Sequence, residues 1–258
     1  MNTPAFELHA AASRLRIVLV GTQHPGNIGA AARALKTMGL ARLVLVAPED
    51  FPADEAFRRA AGADDLLAQA VVTPDLASAV ADCRYVLGCT ARSRRVQLQE
   101  FEPREAAAQA VAMAAEGEVA LVFGRERTGL TNEELQLCHA AVHIPANPEY
   151  SSLNLAAAVQ VLSYELRLAL RRPAAQAEAP GAHPDEAPAT HAQLEGFFAQ
   201  LGQTLDEIDF HKGRTPDSAM RKLRRLYLRA HLNTQEVRLL RGILADAQRM
   251  ARIARGNG

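Results

Sequence analysis

Cysteine is scarce and scattered. Cys83, Cys89 and Cys138 are the only three in 258 residues, an odd set with no metal-ligand spacing and no disulfide framework. His24, His139 and His143 are equally dispersed, so no metal site is expected. No apolar run approaches the roughly 18 residues that suggest a membrane span. The N-terminus, MNTPAFELHAAASRLRIVLV, lacks the basic-then-apolar order of a signal peptide. The expectation is a soluble, reduced, cytoplasmic protein. Familiar catalytic signatures are missing too. There is no GxSxG elbow, and the first glycine-bearing loop, GTQHPGNIGAAARALKTMG, is neither a GxGxxG fingerprint nor a P-loop. Aromatic residues make up 5% of the chain. Phe197, Phe198 and Tyr227 fall in helical patterns and read as core, not as a base-stacking platform.

Apolar residues are plentiful, at 48%, enough for a substantial core. The net charge of zero is a sum of opposites. From His211 onward stand twelve Lys/Arg and three Asp/Glu, giving +9; residues 1–210 hold the other seventeen basic and twenty-six acidic residues, giving −9. A basic tail on an acidic body suggests a polyanion partner for the tail. A solvated helical face is the plainer alternative.

Residues 16 to about 170 alternate short apolar runs with helical patterns. The runs are RIVLV (16–20), RLVLVA (42–47), AVVT (70–73), YVLGCT (85–90), VALVFG (119–124) and AVHIP (141–145). Near-continuous strands of this kind, alternating with helices, indicate a parallel α/β sheet covered on both faces. Ligands of such sheets sit beyond the carboxyl ends of the strands. Leu155, Val159, Leu162, Leu166 and Leu170 line one face of a helix. Residues 171–190 are rich in Pro and Ala without apolar period and read as a linker. Residues 191–258 carry three amphipathic patterns, a small all-α extension. The expected domains are therefore 1–170, 171–190 and 191–258.

Candidate chemistry collects in the loops after the strands. After the first, Asn27 is placed to cap a helix, and Arg33 lies a turn and a half inside it. After the fourth, Thr90 ends the strand, and Arg92, Arg94 and Arg95 can grip phosphates or simply keep a loop soluble. After the fifth, Gly124 stands where a missing side chain lets a ligand lie against the backbone. Thr131 and Glu134 have the spacing of a capping box, while Arg125, Glu126 and Arg127 are less easily explained by turn chemistry. After the sixth, Asn147-Pro148 turns the chain and delivers Ser151, Ser152 and Asn154 to a helix head. One polar residue suffices for an N-cap, so three raise a question.

Four segments taken together, PGNIGAAARALKTMG, CTARSRR, LVFGRERTGLTNEEL and IPANPEYSSLNLAAAVQVLSYE, resemble the SPOUT family of RNA methyltransferases. They look most like its TrmJ branch, which methylates the ribose 2′-hydroxyl of the pyrimidine (cytidine or uridine) at position 32 of the tRNA anticodon loop. The resemblance covers about residues 15–170; the extension after the linker fits as well, with a weaker signal. It implies a parallel sheet whose C-terminal segment threads a loop as a trefoil knot, which periodicity would not indicate. It also implies S-adenosylmethionine as cofactor, with S-adenosylhomocysteine as product, and no metal. The partners implied are tRNA, gripped in part by the basic tail, and a second copy that completes each active site at a homodimer interface.

Carried over position by position, the resemblance assigns the cofactor to Cys89, Thr90 and Ala91, to Gly124, to Ile144, and to Ser151, Ser152 and Leu153. It makes Arg33 the principal catalytic residue, with Asn27, Ser152 and Asn154. It places Arg33, Arg92, Arg94 and Arg125 on the RNA. Arg33 would engage the 2′-hydroxyl and a neighbouring phosphate across the dimer interface. A base role and an electrostatic role both stay open; arginine keeps its proton under ordinary conditions, which favours stabilising the forming alkoxide. The sequence departs from the family at Gly21, where many relatives carry glutamate, and at Cys89, where threonine or serine is common. Three rival readings are a methyltransferase for another tRNA or rRNA ribose, a non-catalytic RNA-binding protein of the same fold, and another α/β nucleotide enzyme such as a dehydrogenase, whose glycine fingerprint is missing. The presence of Arg33 and of the Ser-Leu-Asn segment speaks against the second.

Overall fold

LRIVLV, RLVLV and VALVF are buried along almost their whole length, as strands covered on both faces must be. In the computed structural model, which describes residues 10–91, 98–171, 187–212 and 215–256, they lie in a seven-stranded sheet. Its strands are β1 (Leu15–Val20), β2 (Arg42–Val46), β3 (Val71–Thr73), β4 (Tyr85–Cys89), β5 (Gln99–Phe101), β6 (Val119–Phe123) and β7 (Ala140–Val142). Their order is β3-β2-β1-β6-β4-β7-β5, and every neighbouring pair is parallel. Six strands coincide with the six apolar runs. The seventh, β5, is a surprise: Gln-Glu-Phe is largely exposed and pairs with β7 at the sheet edge.

The helices of this unit include α1 (Pro25–Met38), α2 (Asp54–Ala60), α3 (Asp64–Ala68), α4 (Leu76–Val80), α5 (Pro103–Ala114), α6 (Asn132–Gln136) and α7 (Leu155–Arg171). Alternation along β1 divides the core between two faces. Leu15, Ile17 and Leu19 pack with Ile28 and Leu35 of α1, Ala110 of α5 and the apolar face of α7. Val18 and Val20 pack with Leu76 and Val80 of α4 and Leu135 of α6. All five apolar positions anticipated on α7 are buried in the first of these clusters. Arg16, the charged residue of β1, is also buried. Its guanidinium forks onto Asp82 at 2.8 and 2.6 Å and reaches Glu118 at 2.9 Å, which compensates the desolvation of the cation.

The chain divides into two compact units. The second contains α8 (His191–Glu207), α9 (Pro216–Arg229) and α10 (Thr234–Gly256). Leu194, Phe197, Phe198, Leu201, Leu228 and Val237 make its core, and Tyr227 meets Phe197 edge-on with ring centroids 4.9 Å apart. Residues 187–190 join this unit: Ala189 N–H donates to the Leu232 carbonyl at 2.9 Å, and Thr190 caps α8. The rest of the expected linker, residues 172–186, lies outside the described residues. No helix among the described residues is long and apolar enough to cross a membrane.

Candidate active site

Strand β4 is paired with β6 on one side and β7 on the other, in a register that sets Cys89 beside both Phe123 and Val142. The three carboxyl ends therefore leave the sheet at one level, where ligands of parallel sheets collect. A cavity of about 480 Å³ opens there, within the range of about 300–1,000 Å³ typical of small-molecule sites. Cys89, Thr90 and Ala91 enter its wall from β4, Gly124 from β6 and Ile144 from β7. Ser151, Ser152 and Leu153 close it from the segment before α7. All eight positions assigned to a cofactor thus face one cavity. Burial pushes the Cys89 thiol up to about 12, so it is a neutral lining group at physiological pH and offers no thiolate nucleophile.

The crowding of polar residues before α7 resolves into two jobs. Asn154 is the cap: its Oδ1 accepts the N–H groups of Ala156 at 2.9 Å and Ala157 at 3.4 Å, satisfying the first turn. Ser151 and Ser152 are left for the cavity. Asn27, by contrast, is not a cap. His24 holds the N-cap position of α1, with Pro25 at the first helical position and no capping side chain of its own. Glu126 serves that end instead, accepting the N–H groups of Gln23 at 3.0 Å and His24 at 3.2 Å. Asn27 lies in the first turn and bridges two side chains. Its Nδ2 donates to Glu126 Oε1 at 2.9 Å, and its Oδ1 accepts from Asn154 Nδ2 at 3.0 Å.

Glu126 is the functional candidate that motif reading leaves unassigned. It lines the cavity and ties the loop after β6 to the head of α1. Burial opposes its ionisation, but hydrogen bonds from the Asn27 amide and from backbone N–H groups outweigh burial and hold its carboxyl below the usual carboxylate range. A hint was present in the sequence, since Arg125-Glu126-Arg127 exceeds what a turn requires; the partners could not be read there.

Gly124 is required for a different reason from the one its position suggests. A Cβ at this residue would stand 2.1 Å from the Gly129 carbonyl carbon and 2.2 Å from the Leu130 nitrogen. The chain's own returning loop fills the space that a side chain would take, while Gly124 itself still lines the cavity. Arg33 is exposed on α1 and does not line this cavity. Among the described residues no side chain pairs with its guanidinium. Arg125 is held by Glu134, whose capping box with Thr131 is formed. Arg92, Arg94 and Arg95 lie outside the described residues.

Residues 14–164 match the SpoU rRNA Methylase family, and residues 192–256 match the C-terminal domain of tRNA methyltransferase TrmJ. The chain is 49% identical over 247 residues to the tRNA (cytidine/uridine/adenosine-2′-O-)-methyltransferase TrmJ of Pseudomonas aeruginosa, spanning 93% of this chain and 95% of that one. It is 49% identical over 235 residues to the tRNA (cytidine/uridine-2′-O-)-methyltransferase TrmJ of Salmonella typhimurium, spanning 91% and 96%. Among solved structures, TrmJ from Z. mobilis ZM4 superposes with a TM-score of 0.77 at 37% identity, covering 90% of this chain and 97% of that one. A probable methyltransferase from Bordetella pertussis Tohama I gives 0.59 at 46% identity, covering 62% and 98%.

Proposed function

Because the chain belongs to the SpoU rRNA methylase family, and within it to the TrmJ methyltransferases, we propose that it methylates a tRNA ribose 2′-hydroxyl. The substrate on this reading is the pyrimidine at position 32 of the anticodon loop, and the methyl donor is S-adenosylmethionine. The observation that carries the proposal is the convergence of eight residues, from β4, β6, β7 and the segment before α7, on one cavity.

The donor fits the lining. Ala91, Ile144 and Leu153 supply apolar surface for a purine, and Thr90, Ser151 and Ser152 supply hydroxyls for its polar groups. The anionic Glu126 on the wall is suited to a cationic ligand. The cofactor, when bound, supplies an electrophilic methyl group on a sulfonium sulfur. This chain must then hold the ribose hydroxyl in line and stabilise negative charge on its oxygen as the proton departs. Ser152, exposed at the cavity mouth, positions that hydroxyl. Arg33 supplies the positive charge from the neighbouring subunit of a homodimer; its absence from the lining of its own cavity supports a two-subunit site. Asn27 and Asn154 keep the loops in place. The exposed Arg221, Lys222, Arg229, Arg238, Arg241 and Arg249 of the second unit bind the tRNA backbone. A trefoil knot around the segment before α7 and a cytoplasmic location, where tRNA is found, complete the proposal.

Incubation with methyl-labelled S-adenosylmethionine and total tRNA, followed by mapping of the label, tests it. A 2′-O-methylpyrimidine at position 32 is the expected product. The Pseudomonas relative's name includes adenosine, so a position-32 adenosine substrate belongs in the same assay. Label on another ribose would keep the chemistry and overturn the site. No label from a folded protein that binds the donor would overturn the reaction.

A further inference from the structure

Arg125 is one of the four arginines that the motifs offer to RNA, yet its head group is already engaged. We propose that Arg125 is a positioning residue of the methyl-donor cavity, locked by Glu134 and seated across Gly21, and not an RNA contact.

Three constraints act on this side chain. First, its Nη1 donates to both carboxylate oxygens of Glu134, at 3.0 and 3.1 Å. Glu134 is itself fixed: its side chain is 15% exposed, its Oε2 accepts the Thr131 N–H at 2.7 Å, and its own N–H donates to Thr131 Oγ1 at 3.2 Å. The ion pair therefore ties the start of α6 to the residue that follows Gly124.

Second, the backbone of Arg125 is held as well. It exchanges two hydrogen bonds with Gly129, at 3.3 and 2.9 Å, closing residues 125–129 into a small loop. All five residues of that loop line the cavity, so whatever holds Arg125 also shapes the rim.

Third, the stem of Arg125 lies against Gly21 in the loop after β1. A Cβ on Gly21 would stand 2.8 Å from Arg125 Nε and 3.0 Å from its Cγ. Gly21 also has φ of +57°, a conformation that favours glycine. The bare backbone at Gly21 makes room for the arginine. A phosphate approaching this guanidinium would have to share it with a half-buried carboxylate that already holds Nη1. Loosening that contact would open the cavity rim, so RNA binding through Arg125 would work against donor binding.

The inference rests on the methyl-transfer reading for the identity of the ligand. Its test measures calorimetric binding of S-adenosylhomocysteine, together with separate KM values for S-adenosylmethionine and tRNA. The variants are Arg125→Lys, Glu134→Gln, their double and Gly21→Ala. Glu134→Gln keeps an acceptor for the Thr131 N–H while removing the charge, so it spares the capping box. Arg125→Lys and Glu134→Gln are each expected to weaken S-adenosylhomocysteine binding by about tenfold, as for one lost charge-assisted contact. The tRNA KM should stay within about twofold of wild type. The double variant should be no worse than either single, because both break the same contact. Gly21→Ala, if it folds, should act in the same direction.

An RNA contact predicts the opposite pattern. Arg125→Lys would raise the tRNA KM, Glu134→Gln would lower it by releasing the guanidinium, and S-adenosylhomocysteine binding would be unchanged; that result overturns the inference. Additive losses in the double variant would overturn it as well. A folded wild-type protein that binds neither cofactor form would overturn the methyl-transfer reading first, and the inference with it.

Discussion

Asn27 and Asn154, 127 positions apart in the chain, share a hydrogen bond of 3.0 Å between their side-chain amides. Through it the head of α1, which carries Arg33, is joined to the cap of α7, which follows the serines of the cavity. Glu126 extends the link to the loop after β6. Three loops that meet nowhere in sequence are thereby held as one frame.

If that frame acts as a unit, Asn27→Ala and Asn154→Ala will not add. Each should lower kcat/KM for methyl transfer, and the double variant should lose no more than the worse single one, with a coupling of about 1 kcal/mol. Asn154→Ala should also cost about 1 kcal/mol of stability as a lost helix cap. Steady-state kinetics and chemical denaturation of the three variants measure both. Additive kinetic losses would dissolve the frame into separate contacts.

Glu126 makes the fold sensitive to acid. Its carboxyl is lower in the folded protein than the ordinary value of 4.5. Its contribution is therefore fully present above that ordinary value and is lost as pH falls through the lower, folded one. The melting temperature of Glu126→Gln should lie below wild type at neutral pH, and the gap should close as pH is taken from about 7 to about 3. A gap that stayed constant across the series would show that the charge of Glu126 does not matter.

Removing the Arg33 guanidinium should separate chemistry from binding. Arg33 is exposed and lies outside the lining of the cavity. Arg33→Ala should therefore keep S-adenosylhomocysteine affinity and the oligomeric state while methyl transfer falls by about two or more orders of magnitude. Sedimentation, calorimetry and single-turnover rates decide it. Near-normal turnover would remove Arg33 from the mechanism.

The second unit, with its own core and most of the basic tail, should govern affinity for tRNA. Deleting residues 171–258 should weaken tRNA binding far more than cofactor binding. It should also flatten the salt dependence of tRNA affinity, since each lost phosphate contact reduces the slope of log K against log salt by about 1. Equal loss of both affinities would assign the tail a structural role.

Local pattern was enough for much of this molecule. Runs of Val, Leu and Ile become strands wherever both faces are buried, and six runs became six strands in a parallel sheet. The spacing from Leu155 to Leu170 determined which face of α7 enters the core. Thr131 and Glu134, three residues apart, determined their capping box. The motif match placed eight residues in loops that turned out to share a cavity.

What tertiary structure decided involves partners remote in sequence. β5 has no apolar pattern of its own; three residues become a strand because β7 offers an open edge. Asn27 looks like a cap, but Glu126, about a hundred residues away, takes the helix end. Gly124 lines the cavity, but the need for a glycine there comes from the returning loop, which takes the place of a side chain. Arg125 looks available to phosphate, but the fold seats it on Glu134 and over Gly21. Periodicity and capping depend on neighbours within a turn of helix or a few strand residues, and the chain carries that information locally. Which side chain meets which across loops depends on the register of β4 with β6 and β7, and no local pattern records it.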